Sequence, residues 1–118
     1  MTAAQTTLSE IEALGRRAIS LQADVRRKGD TQQMVEATVR QLGPLDILVC
    51  NAGVINLSPV ETMTEEAWDL TFAVNTKGIF LSCQAAIPAL RARGDGCIIN
   101  IASVAGKKGA PELAHYCA

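Results

Sequence analysis

Hydrophobic positions change period several times along the chain. In TLSEIEALG, residues 7–15, Leu8, Ile11 and Leu14 recur at three-residue steps, one face of a helix, and Gly15 supplies a C-terminal stop. AISLQADV, residues 18–25, switches to alternation: Ile19, Leu21, Ala23 and Val25 lie apolar against polar neighbours, which predicts a strand. Asp30 with Gln33 resembles a capping box. It is expected to open a helix with Met34, Val35, Val39 and Leu42 inward and Gly43 at its end. LDILVC, residues 45–50, is almost unbroken apolar sequence, the signature of a strand buried on both faces of a parallel sheet.

Residues 51–63, NAGVINLSPVETM, carry Gly, Asn and Pro at loop positions. Thr62 or Thr64 then caps a long helical run over residues 64–91. Trp68, Phe72, Asn75, Ile79, Cys83, Ala86 and Leu90 fall on one broad face of it, and Gly78 and Pro88 are expected to bend it. GDG, residues 94–96, is a turn, and CIINIAS, residues 97–103, a second buried strand. The order helix, strand, helix, strand, helix, strand implies an α/β fold with a parallel sheet. Ligands of such sheets sit beyond the carboxyl ends of the strands, where Asp24, Asn51 and Ser103 are found. There is no internal repeat, linker or low-complexity segment.

Composition narrows the classes. The 118 residues are 48% apolar and 19% charged, as a globular domain is. A net charge of −1 gives no pull toward nucleic acid or an anionic membrane. No apolar run approaches the roughly 20 residues that span a bilayer, and MTAAQTTLSEIEA is no secretory leader. Cys50, Cys83, Cys97 and Cys117 are scattered without a close pair, against a zinc or disulfide framework. A reducing cytoplasm is the expected setting.

Four stretches in order, Asp24-Val25, LDILVCNAG, Asn75 within the long helix, and Asn100-Ile-Ala-Ser followed by Tyr116, resemble the short-chain dehydrogenase/reductase family. The resemblance covers residues from about 8 to 118 and implies a partial Rossmann-like, doubly wound parallel sheet in three layers, residues 1–118 being a single incomplete domain. It is expected to be truncated at both ends: the family's glycine-rich loop, which receives the pyrophosphate, does not occur, and the family's lysine falls at position 120, past Ala118.

The resemblance implies an NAD- or NADP-dependent oxidoreductase that interconverts a small-molecule carbonyl and alcohol. Tyr116 takes the family's acid/base role, and thirteen residues upstream Ser103 takes that of the serine orienting the substrate oxygen. A free phenol titrates near pH 10, so the base form at neutral pH relies on a neighbouring cation such as that lysine. The chain alone is therefore expected to be inactive. Asn75 resembles the asparagine that interrupts the long helix and holds a water in a proton relay. Asp24 and Val25 correspond to the pair beside adenine, and Asn51, Ala52 and Gly53 to the residues along the adenine ribose; Tyr116 also meets the cofactor. Cys50 departs from the pattern, standing where the family usually has an asparagine, and His115 is expected at the surface. The resemblance also implies that the full-length protein pairs as a homodimer or homotetramer through the long helix. Two other readings are a non-catalytic module that joins full-length relatives through residues 64–91, and a flavodoxin-like or receiver-like domain, for which the required phosphate loop or acidic cluster is missing.

Overall fold

The computed structural model describes residues 2–118. Helix α1, Ala3–Ala13, begins at a reciprocal cap: Thr2 Oγ1 accepts from the Gln5 N–H at 3.3 Å, and the Thr2 N–H donates to Gln5 Oε1 at 2.8 Å. Gly15, with φ +73°, turns the chain out of it as expected. No residue of α1 is buried and Leu14 is 79% exposed, so its apolar face has no partner among the described residues.

The expected strand at 18–25 is not a strand. Side-chain hydrogen bonds hold it instead: Arg17, just before it, donates to the Gln41 and Leu42 carbonyls at 3.2 and 2.8 Å, and the Asp24 N–H donates to Asp30 Oδ2 at 2.9 Å. Alternation makes a strand only where a neighbour offers a ladder, and the free edge of 45–50 is not taken. The same bond redirects Asp30. Helix α2, Lys28–Leu42, starts two residues before it, at Arg27 without a side-chain cap, so the capping box does not form. Asp30 instead holds the turn before the helix. Gly43, at φ +109°, closes α2 as read.

Strands β1, Ile47–Cys50, and β2, Cys97–Asn100, pair in parallel with Ile47 opposite Cys97 and Cys50 opposite Asn100. Between them run α3, Glu65–Phe72, a π turn over Ala73–Lys77, and α4, Gly78–Arg93. Thr64, not Thr62, caps α3, its hydroxyl accepting from the Ala67 N–H at 3.2 Å. The π turn carries one more residue than an α turn, which rotates everything after it by about 100°. That is why the buried stripe reads Thr71, Val74, Gly78 and Ser82 before it meets the expected Ala86 and Leu90, while Trp68 stays 42% exposed. Helix α4 runs on through Pro88, which lies on its exposed side.

The core consists of Val35 from α2, Leu48 and Cys50 from β1, and Ala86 and Leu90 from α4. It fills one face of the sheet. The other is bare: Ile47 is 55% exposed, Val49 52% and Ile99 43%. Strand burial is therefore one-sided rather than two-sided as the apolar run implied, because the sheet and one helical layer are present and nothing covers the far side. The radius of gyration, 16.6 Å, exceeds the roughly 13–14 Å of a compact chain this long. A turn over Val104–Gly106 and the short helix α5, Ala114–Cys117, complete the chain.

Candidate functional site

The carboxyl ends of β1 and β2 lie side by side. The ladder extends one step past β2, the Ile101 N–H donating to the Cys50 carbonyl at 3.0 Å. This carries Asn51, Ala52 and Gly53 out on one strand and Ser103 out on the other, all exposed. Ser103 Oγ accepts from the Ala105 N–H at 3.1 Å, capping the 104–106 turn. That bond fixes the oxygen and leaves its own hydrogen free to donate. Helix α5, which bears the half-buried Tyr116, packs against this turn and against α3. Serine turn and tyrosine helix are thus direct neighbours.

Asn75 sits in the π turn, where the widened backbone projects its side chain onto the loop after β1. Asn75 Nδ2 donates to the Val54 carbonyl at 2.9 Å, and the Val54 N–H donates to Asn75 Oδ1 at 2.8 Å. Gly53 lies beside the same amide: a Cβ there would stand 3.6 Å from Asn75 Oδ1. Each polar end of the side chain gives one bond to the loop and keeps one further N–H or lone pair.

A second group gathers at the other end of the crevice. Val25, Asn51 and Ala52 line a cavity of about 160 Å³ with Gly78, Ile79 and Ser82, its walls mainly apolar. Gly78 makes the close approach possible, since a Cβ on it would fall 2.8 Å from Val25 Cγ2. Asp24 is beside it but engaged. Arg26 Nε donates to both its carboxylate oxygens, at 2.9 and 3.0 Å, Arg26 Nη2 closes the pair at 2.6 Å, and Arg27 lies 3.9 Å away. Hydrogen bonds from the Arg26 side chain and backbone hold the carboxyl down at about 2.

Cys50 is buried at the end of β1, packed with Cys83. Burial first, and then the neighbouring Cys83 thiol, pushes its thiol up, so it serves as a small protonated hydrophobe. His115 corrects the sequence reading: it is 2% exposed, not at the surface, with Nε2 2.7 Å from Asn56 Oδ1. Sequence reasoning passed over Asn56, Val54 and Arg26. Only Arg26 left a trace, as a cation two positions from a carboxylate; a loop amide reaching across 59 residues leaves none. Among the described residues, no three His, Cys, Asp or Glu side chains cluster as a metal site, and no helix is long and apolar enough to cross a membrane.

Over residues 1–118 the sequence matches the short chain dehydrogenase family. This chain belongs to it. It is 34% identical over 115 residues to the 3-oxoacyl-[acyl-carrier-protein] reductase FabG of Staphylococcus epidermidis and 36% identical to that of Staphylococcus aureus, covering 98% of this chain and 47% of each relative. Cyclopentanol dehydrogenase of Comamonas testosteroni is 36% identical over 109 residues, 92% of this chain and 44% of that protein. The chain thus spans less than half the length of these relatives. Short-chain dehydrogenases are oxidoreductases that use NAD or NADP. The apolar cavity beside Val25 is open to Asn51 and Ala52, and Gly53, having no side chain, leaves the backbone next to it approachable.

Proposed function

We propose that this chain is the central part of an NAD- or NADP-dependent oxidoreductase that interconverts a carbonyl and an alcohol, with Tyr116 as acid/base. The observation that carries this reading is the packing of the Tyr116 helix on the turn that Ser103 caps. When bound, the dinucleotide would supply or accept the hydride. Tyr116 transfers a proton to or from the substrate oxygen, and Ser103, whose oxygen is already fixed by the Ala105 N–H, donates to that same oxygen as charge gathers on it. Asn75 keeps the Asn51–Gly53 edge in place through Val54, while Val25 and the exposed backbone of Ala52 and Gly53 receive the adenosine end. Asp24, whose carboxylate Arg26 holds here, would accept from the adenine amine of a bound dinucleotide, the role the family resemblance gives it. The substrate is a small ketone or a 3-oxoacyl thioester, the chemistry in the names of the relatives.

The test is the longest reading frame that contains this chain, assayed with NADH and NADPH against a cyclic ketone and a 3-oxoacyl thioester. Replacing Tyr116 by Phe is expected to lower kcat by roughly 10²–10⁴ with cofactor affinity retained. Full activity in that variant overturns the assignment. The 118 residues alone are expected to turn nothing over. A second reading, a non-catalytic module that joins longer relatives through residues 64–91, draws on the apolar side chains left open there, Leu70 at 42% and Phe80 at 58% exposed. Co-purification with a longer relative but no turnover by the longest frame favours it.

A further inference from the structure

The buried histidine next to the tyrosine is not used by the reading above. His115 is closed off from water, and its Nε2 stands 2.7 Å from Asn56 Oδ1, which can only accept, so this bond belongs to the tautomer that carries its hydrogen on Nε2. The other ring nitrogen, Nδ1, is buried with no partner among the described residues. The imidazole therefore spends its single donor on one bond. A second link lies close by: the Ser58 N–H donates to the Glu112 carbonyl at 2.9 Å, and Glu112 sits at φ +60°, a region that L residues enter at a cost. The 112–115 segment is thus fastened to the 56–58 loop at two points. That loop is in turn fastened at Val54 by Asn75.

We propose that His115 is a positioning residue for Tyr116, its Nε2 bond to Asn56 fixing the turn that carries the phenol on the loop that Asn75 holds. The inference rests on the reading of Tyr116 as acid/base for its purpose, though its geometry stands apart from it. An acid/base group is effective only when its oxygen is held within hydrogen-bond reach of the reacting atom. Helix α5 has four residues, too short to hold that position by itself, so its orientation comes from what its side chains grip.

Tyr116 is the only tyrosine in the chain, so ring-labelled tyrosine gives one set of signals in nuclear magnetic resonance, without assignment. The 118-residue protein is compared with N56L, H115N and H115Q. Gln places a nitrogen donor the same number of bonds from Cβ as His Nε2, whereas Asn falls short. In N56L and H115N the ring signals are expected to broaden or split, and the Cys117 amide, which donates to the Leu113 carbonyl, to exchange about tenfold faster. H115Q is expected to restore both. Unchanged ring signals in N56L overturn the proposal, as does an H115Q that behaves like H115N, since filling volume would then be the whole role of the imidazole. Asn56 is exposed, so N56L decides the matter even where H115N fails to fold. The acid/base reading is judged separately, by the activity of the Tyr116 to Phe variant.

Discussion

Asn75 and Val54 exchange two hydrogen bonds across 21 residues, amide to backbone, so that a helix and the loop after a strand are locked edge to edge. Each bond contributes about 1 kcal/mol, and an orphaned partner costs about 1–3 kcal/mol more when water cannot reach it. Val54 is half-buried. Asn75→Leu, which has the same shape but neither donor nor acceptor, is therefore expected to lose ~2–3 kcal/mol in urea unfolding. Asn75→Asp keeps the acceptor for the Val54 N–H but sets a carboxylate against the Val54 carbonyl, and is expected to cost at least as much. Equal stability of all three proteins would show that the π turn, not the side chain, holds the loop.

Two glycines separate a side-chain clash from a backbone clash. A Cβ on Gly96 would lie 2.6 Å from Leu90 Cβ and 3.2 Å from Leu90 Cα, and the helix backbone cannot move aside. Gly96→Ala is expected to cost about 1–3 kcal/mol in urea unfolding. On Gly78 the obstacle is Val25, its Cγ2 at 2.8 Å and its Cβ at 3.2 Å, on a segment outside any helix or strand, while the helix gains about 1 kcal/mol of propensity. Gly78→Ala is expected to be nearly neutral in stability and to displace the Val25 methyl signals. A large loss in Gly78→Ala with Val25 unmoved would count against this account.

Acid stability follows from Asp24. Arg26 holds its carboxyl at about 2, below the ordinary 3.8, so the charged form is favoured in the folded state. A depressed carboxyl contributes fully above its unfolded value and loses that contribution as pH falls through the folded one. The window is thus from about pH 4 down to about pH 2. Arg26→Ala is expected to flatten the acid limb of the unfolding curve there and to leave stability near neutral pH reduced by a constant amount. Because the pair is exposed, added salt is expected to shrink the difference. An acid limb identical to wild type would show the ion pair to be idle.

Much of this was legible because some residues act locally. Gly15 and Gly43 end helices through their own backbone freedom, Thr64 caps through its own hydroxyl, and the parallel pair announced itself in two apolar runs. What misled was everything decided at a distance. Residues 18–25 alternate correctly but lack a ladder, Asp30 is claimed by the Asp24 amide before it can cap, and the π turn shifts the helix face by one position. At the site, Asn51 and Ser103 were visible as polar residues at strand ends, and Tyr116 only through the family resemblance. His115 was misplaced because its burial depends on Asn56, far away in sequence.

The bare side of the sheet gives the sharpest contrast between local pattern and context. LDILVC reads as a strand covered on both faces, yet only Leu48 and Cys50 are buried, each 8% exposed, while Ile47 and Val49 stand more than half open. In the 118-residue protein Val49→Thr removes no contact of consequence, so its effect on stability is expected within about 0.5 kcal/mol. It is also expected to cut self-association in sedimentation, because it places a hydroxyl in the middle of an apolar face. Leu48→Ala, on the covered face, is expected to cost about 2–5 kcal/mol. In a longer protein that lays a second helical layer over Val49, the same Thr buries a hydroxyl without a partner, and the cost is expected to rise by about 1–3 kcal/mol. A Val49→Thr that destabilises the 118-residue protein as much as Leu48→Ala would mean that something already covers this face.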